Sequence, residues 1–420
     1  MAPNIRDPPT SNVNEPPTAN VKEVYYKGFF YDVTEWVRRH PGGKIIEFYT
    51  KKGEDATLPI QEFHNRSTKK VGAIMNSLKK RPATLEELGL DKEAIQRHEA
   101  LTRDFQKLKD ELVAEGMFEP SIPHVIYRIS ELIGFLVLGM YLLMTSQSWP
   151  VWTFGLLCFA MYQGRSGWLM HEGGHHSLTG VPNVDRFLQA VIYGLGDGMA
   201  SKWWSSQHNR HHAMPQRLKH DVDLETLPLI AFNKGVVRHK KQGTGFFIQH
   251  QSTLFLLIDT LLVATMWKVY LHPRYVIQRG TYIQLLFMGL HYLFAYNVGF
   301  VTYLVSVWLA SIYIFGNFSL SHTHLPITEK PTHWVEYSLT HTMDITPGWM
   351  VDWWMAYLNY QIEHHLFPTM PQFRHPLIRD RVVALAKKHN IPYHCDDYFI
   401  TLDKTLQNLA DVSKDLKHGM

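Results

Sequence analysis

Apolar positions along this chain gather into five runs, 129–145, 149–164, 254–271, 281–296 and 300–320, separated by strongly polar stretches. The first two each approach the roughly 20 residues that cross a bilayer core. Their connector, Ser146-Gln147-Ser148, carries no charge, while Arg128 and Arg165 stand at the outer ends. Under the positive-inside rule this predicts a hairpin that enters and leaves at the cytoplasmic face. Residues 281–320 amount to about 60 Å of helix at ~1.5 Å per residue. That is twice the ~30 Å apolar thickness, so a second hairpin is expected, turning near Asn297-Val298-Gly299. The remaining run, 254–271, contains Asp259 and ends at His272-Pro273-Arg274. A helix lying in the interface there keeps the number of crossings even.

The polar stretches have patterns of their own. Val24-Tyr25-Tyr26 and Phe29-Phe30-Tyr31-Asp32-Val33 flank Lys27-Gly28, which predicts two short strands around a turn. Helix is expected from Lys44 to Tyr49, within a small unit spanning 21–82. Residues 1–20, rich in Pro, Asn and Thr and without a basic-then-apolar leader, read as a disordered lead-in. Across the linker 83–123, Leu101, Phe105, Leu108 and Leu112 recur on one helical face, the pattern of a solvated amphipathic helix. Phe187 to Tyr193 is amphipathic enough to lie at the interface, and 371–420 reads as a solvated closing segment. The fold class expected is a small α+β unit followed by an all-α membrane domain over 124–420, with two transmembrane hairpins and a cytoplasmic histidine-rich cap.

Composition sharpens this. The mean hydropathy of −0.18 hides the membrane runs because it averages over them. A net charge of +4 gives no basic surface for nucleic acid. Two cysteines, Cys158 and Cys395, exclude a disulfide framework and fit a reducing compartment. The outstanding feature is 25 histidines, and they are clustered.

After the first hairpin comes His171-Glu172-Gly173-Gly174-His175-His176, then Gln207-His208-Asn209-Arg210-His211-His212. After the second come Ser321-His322-Thr323-His324 and Gln361-Ile362-Glu363-His364-His365. Spacings of three and four put these rings on single helical faces. A lone histidine beside an apolar run is usually a hydrogen-bonded core or interfacial residue. Repeated clusters at one membrane face are instead a ligand pattern, with Glu172, Asn209, Asp221, Asp223 and Glu363 available to orient the rings.

Two resemblances follow. By spacing alone, His40-Pro41-Gly42-Gly43 and Phe63-His64-Asn65-Arg66-Ser67 read as a turn after a helix and a surface histidine. As they stand, they resemble the cytochrome b5 haem domain, whose His-Pro-Gly-Gly matches at His40 and whose second ligand segment matches at His64, 24 residues on. That implies haem b between His40 and His64, six-coordinate and suited to electron transfer. The family's longer N-terminal portion has no match before Val21.

The order His-x-x-x-His-His, His-x-x-His-His and Gln-x-x-His-His around two hairpins resembles the membrane fatty-acyl desaturases. With the fused b5-like unit and the opening glutamine, it is similar to the front-end subgroup, which inserts a double bond between an existing one and the carboxyl end. The wording of 220–229 and 370–374 is similar to Δ5 and Δ6 members, and that of 115–124 most resembles the Δ5 group. The resemblance implies two non-haem iron ions held by His171, His175, His176, His208, His211, His212, His364 and His365. A further ligand would come from the exit of the second hairpin, His324 by position, with His322 as its rival. Gln361 stands where other desaturases have histidine, and contact with metal directly or through water is open.

Also implied are O2, a polyunsaturated acyl chain on coenzyme A or phospholipid, NADH-cytochrome b5 reductase feeding the haem, and the endoplasmic reticulum membrane with both metal sites cytoplasmic. A sphingolipid desaturase or membrane di-iron hydroxylase would use similar clusters. A membrane-tethered haem electron carrier would hold haem iron alone.

Overall fold

The computed structural model describes residues 21–418 apart from 51, 52, 219, 222, 224–226, 237–244 and 329. The lead-in expected over 1–20 lies outside the described residues. The N-terminal unit is a three-stranded antiparallel sheet of β1 (Glu23–Tyr26), β2 (Phe29–Asp32) and β3 (Lys80–Pro82) in that order. Lys27 and Gly28 turn at φ 49° and 78°, left-handed conformations that twist the hairpin as its strands require. The third strand was not anticipated, because Lys80-Arg81-Pro82 is fully exposed and lacks alternation. Against the sheet lie a 3-10 segment, Gly43–Tyr49, and helices α1 (Thr57–Phe63) and α2 (Thr68–Ser77).

The remainder is helical apart from a short parallel pairing of Asp344–Ile345 with Cys395–Asp396. Helices α4 (Ile122–Thr145) and α5 (Trp149–Gly174) form the first hairpin. They approach closely because Gly155 faces α4, where an added Cβ would lie 2.7 Å from that of Leu142. At the other end, Arg165 makes hydrogen bonds of 2.6 and 2.9 Å to Glu131. Beyond α6 (Pro182–Asp197) and α7 (Ser201–Ala213), one helix runs over Gln251–Arg279 as α8, interrupted by π-turns at Phe255–Asp259 and Trp267–Leu271. The second hairpin is α9 (Ile283–Val298) and α10 (Phe300–Leu320), turning at Gly299. Among the described residues, three helices are long and apolar enough to cross a membrane: α4, α8 and α10. Thus α8 has the length of a span, where a purely interfacial helix was expected.

Two expectations are corrected. The linker helix α3 (Lys92–Ala114) is not solvated: Leu101, Phe105, Leu108 and Leu112 are buried. Nor is the closing segment, whose helices α11 (His375–Lys388) and α12 (Tyr398–His418) bury Ile378, Val382, Leu385 and Leu409. The face of α3 and that of α11 close on Ile362, Leu366 and Phe367 of the last histidine segment. Phe105 stacks on Phe367 with ring centroids 5.2 Å apart. An apolar stripe shows that a helix needs a partner, but not which one.

Candidate metal centre

The three histidine-rich segments ride on α5, α7 and the short helix α13 (Gln361–Leu366), meeting at the mouth of the hairpins. Gly174 allows α5 to meet α7 here, since an added Cβ would lie 2.7 Å from Gln189 Nε2 and press on the Trp204 ring. One nitrogen from each of His171, His175, His208, His212 and His364 lies within 4.8 Å of the others. Consecutive Nε2 atoms stand 3.0 Å apart from His175 to His208, His208 to His212 and His212 to His364. A second group, His211, His322 and His365, adjoins the first, with His365 stacked 4.1 Å from the ring of His212.

These imidazoles fit metal ions. Ligand nitrogens about 2.1 Å from one cation at roughly right angles are separated by about 3.0 Å. Burial, reinforced by neighbouring imidazoles, holds His175, His208, His212, His364 and His365 far below the usual histidine range, so their rings are neutral. Neither nitrogen of His365 nor Nδ1 of His364 finds a hydrogen-bond partner among the described residues, although such groups are normally satisfied.

Around the rings lie groups that fix their orientation. The Asp221 carboxylate accepts from His211 Nδ1 at 3.0 Å, and Asp223 lies 3.2 Å away. Burial pulls His211 down, but the two carboxylates override it and raise its pKa to about 9. Its Nε2 therefore carries a proton unless a cation competes for that position. The Gln372 amide nitrogen lies 2.8 Å from His171 Nδ1; turning the amide over puts its oxygen there to accept Nδ1–H and leave Nε2 to the cluster. His322 donates to the His341 carbonyl at 3.3 Å. Beneath α13, Tyr393 donates to Glu363 at 2.9 Å and also to Asp344, whose Oδ1 accepts from Ile362 N at 3.0 Å. Burial and Asp344 push Glu363 well up, so these two carboxyls share protons rather than both being charged.

Of the residues singled out in the sequence, His176 and His324 stand outside both groups. His176 follows the end of α5, turns to φ 57°, and receives Arg186 Nε at 3.4 Å. His324 lies 3.4 Å from Thr405 Oγ1. The position at the exit of the second hairpin is taken by His322. Gln361 is buried, its Oε1 without a partner among the described residues, and it lines the cavity onto which His171, His208, His211 and His322 open. Gln372, His341, Asp344 and Tyr393 carry no role in the sequence reading.

That cavity, about 330 Å³, reaches from His171, His208, His211 and His322 between Trp203, Trp267, Val307 and Phe315. Its lining is mostly apolar, which suits a hydrocarbon chain.

In the N-terminal unit, the His40 and His64 rings face each other with centroids 6.2 Å apart. Two imidazoles each about 2 Å from a shared metal would have ring centres roughly 6.3 Å apart. His40 Nδ1 donates to the Gly43 carbonyl at 3.1 Å and His64 Nδ1 to that of Ile60 at 2.9 Å, leaving both Nε2 lone pairs free to ligate. Burial lowers the pKa of both. The unit docks on α7: Tyr49 donates to the Ala213 carbonyl at 2.8 Å, Glu54 pairs with Arg217 at 2.5 Å, and Phe48 packs on His220 at 4.5 Å.

Comparison with known proteins finds a family for each of the two regions. Residues 147–396 match the fatty acid desaturase family, and 19–98 match the cytochrome b5-like heme/steroid binding domain. An acyl-lipid (8-3)-desaturase of Rebecca salina is 46% identical over 404 residues, covering 93% of this chain and 92% of the relative. One of the same name from Thraustochytrium sp is 43% identical with the same coverage, and a delta(8)-fatty-acid desaturase of Euglena gracilis is 31% identical over 86% of this chain and 88% of its own.

Proposed function

Because this chain belongs to the fatty acid desaturase family and carries a cytochrome b5-like haem domain, we propose that it is a Δ5 front-end desaturase of polyunsaturated acyl chains. It is a membrane oxidoreductase of acyl lipids, with haem and a di-iron centre as its cofactors. His171, His175, His208, His212 and His364 hold one iron, and His211, His322 and His365 the other. His40 and His64 hold the haem. The observation carrying this reading is that two adjoining imidazole groups open onto one apolar cavity. The Δ5 position is supported by the wording of 115–124 and by the (8-3) designation of the relatives at 46% and 43% identity.

When bound, the irons supply the oxidising power to draw two hydrogens from adjacent saturated carbons, and the haem supplies electrons singly. The protein's part is positional. The cavity walls exclude water and hold the chain beside the rings, while Asp221, Gln372 and the His341 carbonyl keep the Nδ1 protons and turn Nε2 inward. With two electrons from NADH-cytochrome b5 reductase and two protons, the two hydrogens removed complete the reduction of O2 to two waters. The endoplasmic reticulum membrane, with both metal sites cytoplasmic, is the setting that supplies such a reductase.

Expression in a host lacking such enzymes, fed defined polyunsaturated acids, tests this. The expected product carries a new bond at Δ5. A Δ6 bond would overturn the regiochemistry alone, and a product that has gained oxygen would make the enzyme a hydroxylase.

A further inference from the structure

Lys268 lies in α8, a largely apolar helix that also buries Asp259, and is only 5% exposed. Its Nζ makes no hydrogen bond among the described residues, and Asp197 Oδ1 is 3.9 Å away. Asp197, 8% exposed, leaves its own Oδ2 without a hydrogen bond. Both side chains line the apolar cavity that reaches the imidazoles. A loose, under-bonded ion pair is an expensive thing to bury at membrane depth, and such residues by default mark a ligand. An ammonium has three donors, and Asp197 engages at most one.

What could take the others follows from the cavity. A hydrocarbon offers no acceptor; the one polar group every acyl lipid presents at the head of its chain is the ester or thioester carbonyl. We propose that Lys268, steadied by Asp197, donates to that carbonyl oxygen and so sets which carbons lie beside the metal ligands. Asp197 Oδ2 lies 4.0 Å from where a Cβ of Gly167 would stand. His171 is one helical turn further along α5, about 6 Å at ~1.5 Å per residue. The polar pair thus lies close to the imidazoles along α5, as a group that counts a short distance from the carboxyl end must. Lys202, Arg274 and Arg279 are exposed around the adjoining ends of α7 and α8, where a lipid headgroup would emerge.

The assignment rests on the acyl-desaturase reading, and its test separates the two. Lys268→Met, and Lys268→Met with Asp197→Asn so that no charge is left unpaired, are compared with wild type in the full-length membrane protein. Binding of a long-chain fatty acid methyl ester and of the n-alkane of equal carbon number is measured by displacement of a fluorescent acyl probe. Wild type should prefer the ester about tenfold, and both variants should lose that preference while retaining haem absorbance and non-haem iron. In turnover the variants should show a raised KM and a scattered double-bond position, and Lys268→Arg should restore both in part. An undiminished ester preference with a single product in the double variant would overturn the role of Lys268. Wild type that makes no unsaturated product would instead overturn the desaturase reading.

Discussion

His40 and His64 stand 24 residues apart in one small unit, and each ring is tied to a carbonyl within four residues of itself. The eight imidazoles of the buried groups come from four stretches of chain that reach from His171 to His365, and their orienting partners stand 10, 19 and 201 residues away. One site is thus assembled by local backbone, the other by tertiary packing. The difference also appears in exposure: His40 remains partly open, whereas His208, His211, His212, His364 and His365 are buried. A local pair can bind and release its cofactor as a module. A cluster built from four segments exists only when the whole cap has closed.

Reciprocal substitutions break the comparison most sharply. His208→Ala should abolish product and non-haem iron binding while leaving the haem spectrum unchanged. His40→Ala should remove the haem spectrum and stop reductase-driven turnover, yet leave non-haem iron in place. Iron analysis beside visible absorbance reads both. Loss of both signals in either variant would show that the sites fold as one.

The contrast explains what was legible in the sequence. His40 and His64 could be matched as a pair because their geometry is local, and the box histidines because helical spacing puts them on one face. His176 could not be separated from His175, because the end of α5 at Gly174 turns one ring in and the next out. The choice between His322 and His324 depended on the turn after Leu320, which periodicity does not reach. The solvated reading of α3 and α11 failed for a related reason. Charged residues are frequent in both, and the partner of the α3 stripe, α13, lies more than 240 residues beyond it.

Phe105→Ala therefore tests long-range assembly, in a cluster that also includes Leu58 of the haem unit. Removing a fully buried ring stacked on Phe367 should cost about 3–5 kcal/mol, read as a lower midpoint of thermal unfolding. Non-haem iron should leave the variant at lower temperature than haem does. Equal loss of both would mean that α3 supports the two regions alike. A milder perturbation of the same cluster is Asp221→Asn, which keeps shape but removes the charge holding the His211 Nδ1 proton. Affinity for metal should fall roughly 10–100-fold, measured by chelator competition, with haem binding unaffected.

The smallest change addresses the seam between the regions. Tyr49 belongs to the haem unit, yet its hydroxyl donates to the carbonyl of Ala213, the neighbour of His212 at the end of α7. That carbonyl is among those a helix terminus leaves unpaired, so the bond satisfies α7 as well as docking the unit. Tyr49→Phe keeps the ring and deletes only this bond, at a net cost of about 1 kcal/mol. Haem absorbance and iron content should both stay at wild-type levels, because neither ligand set is touched. Reoxidation of the reduced haem in the presence of substrate and O2, followed by stopped-flow absorbance, should slow by a few fold. An unchanged rate would mean that Glu54–Arg217 and Phe48–His220 hold the seam without it. Slower reoxidation with both cofactors retained would locate the effect in the contact between a local site and a distributed one, which neither reciprocal substitution can isolate.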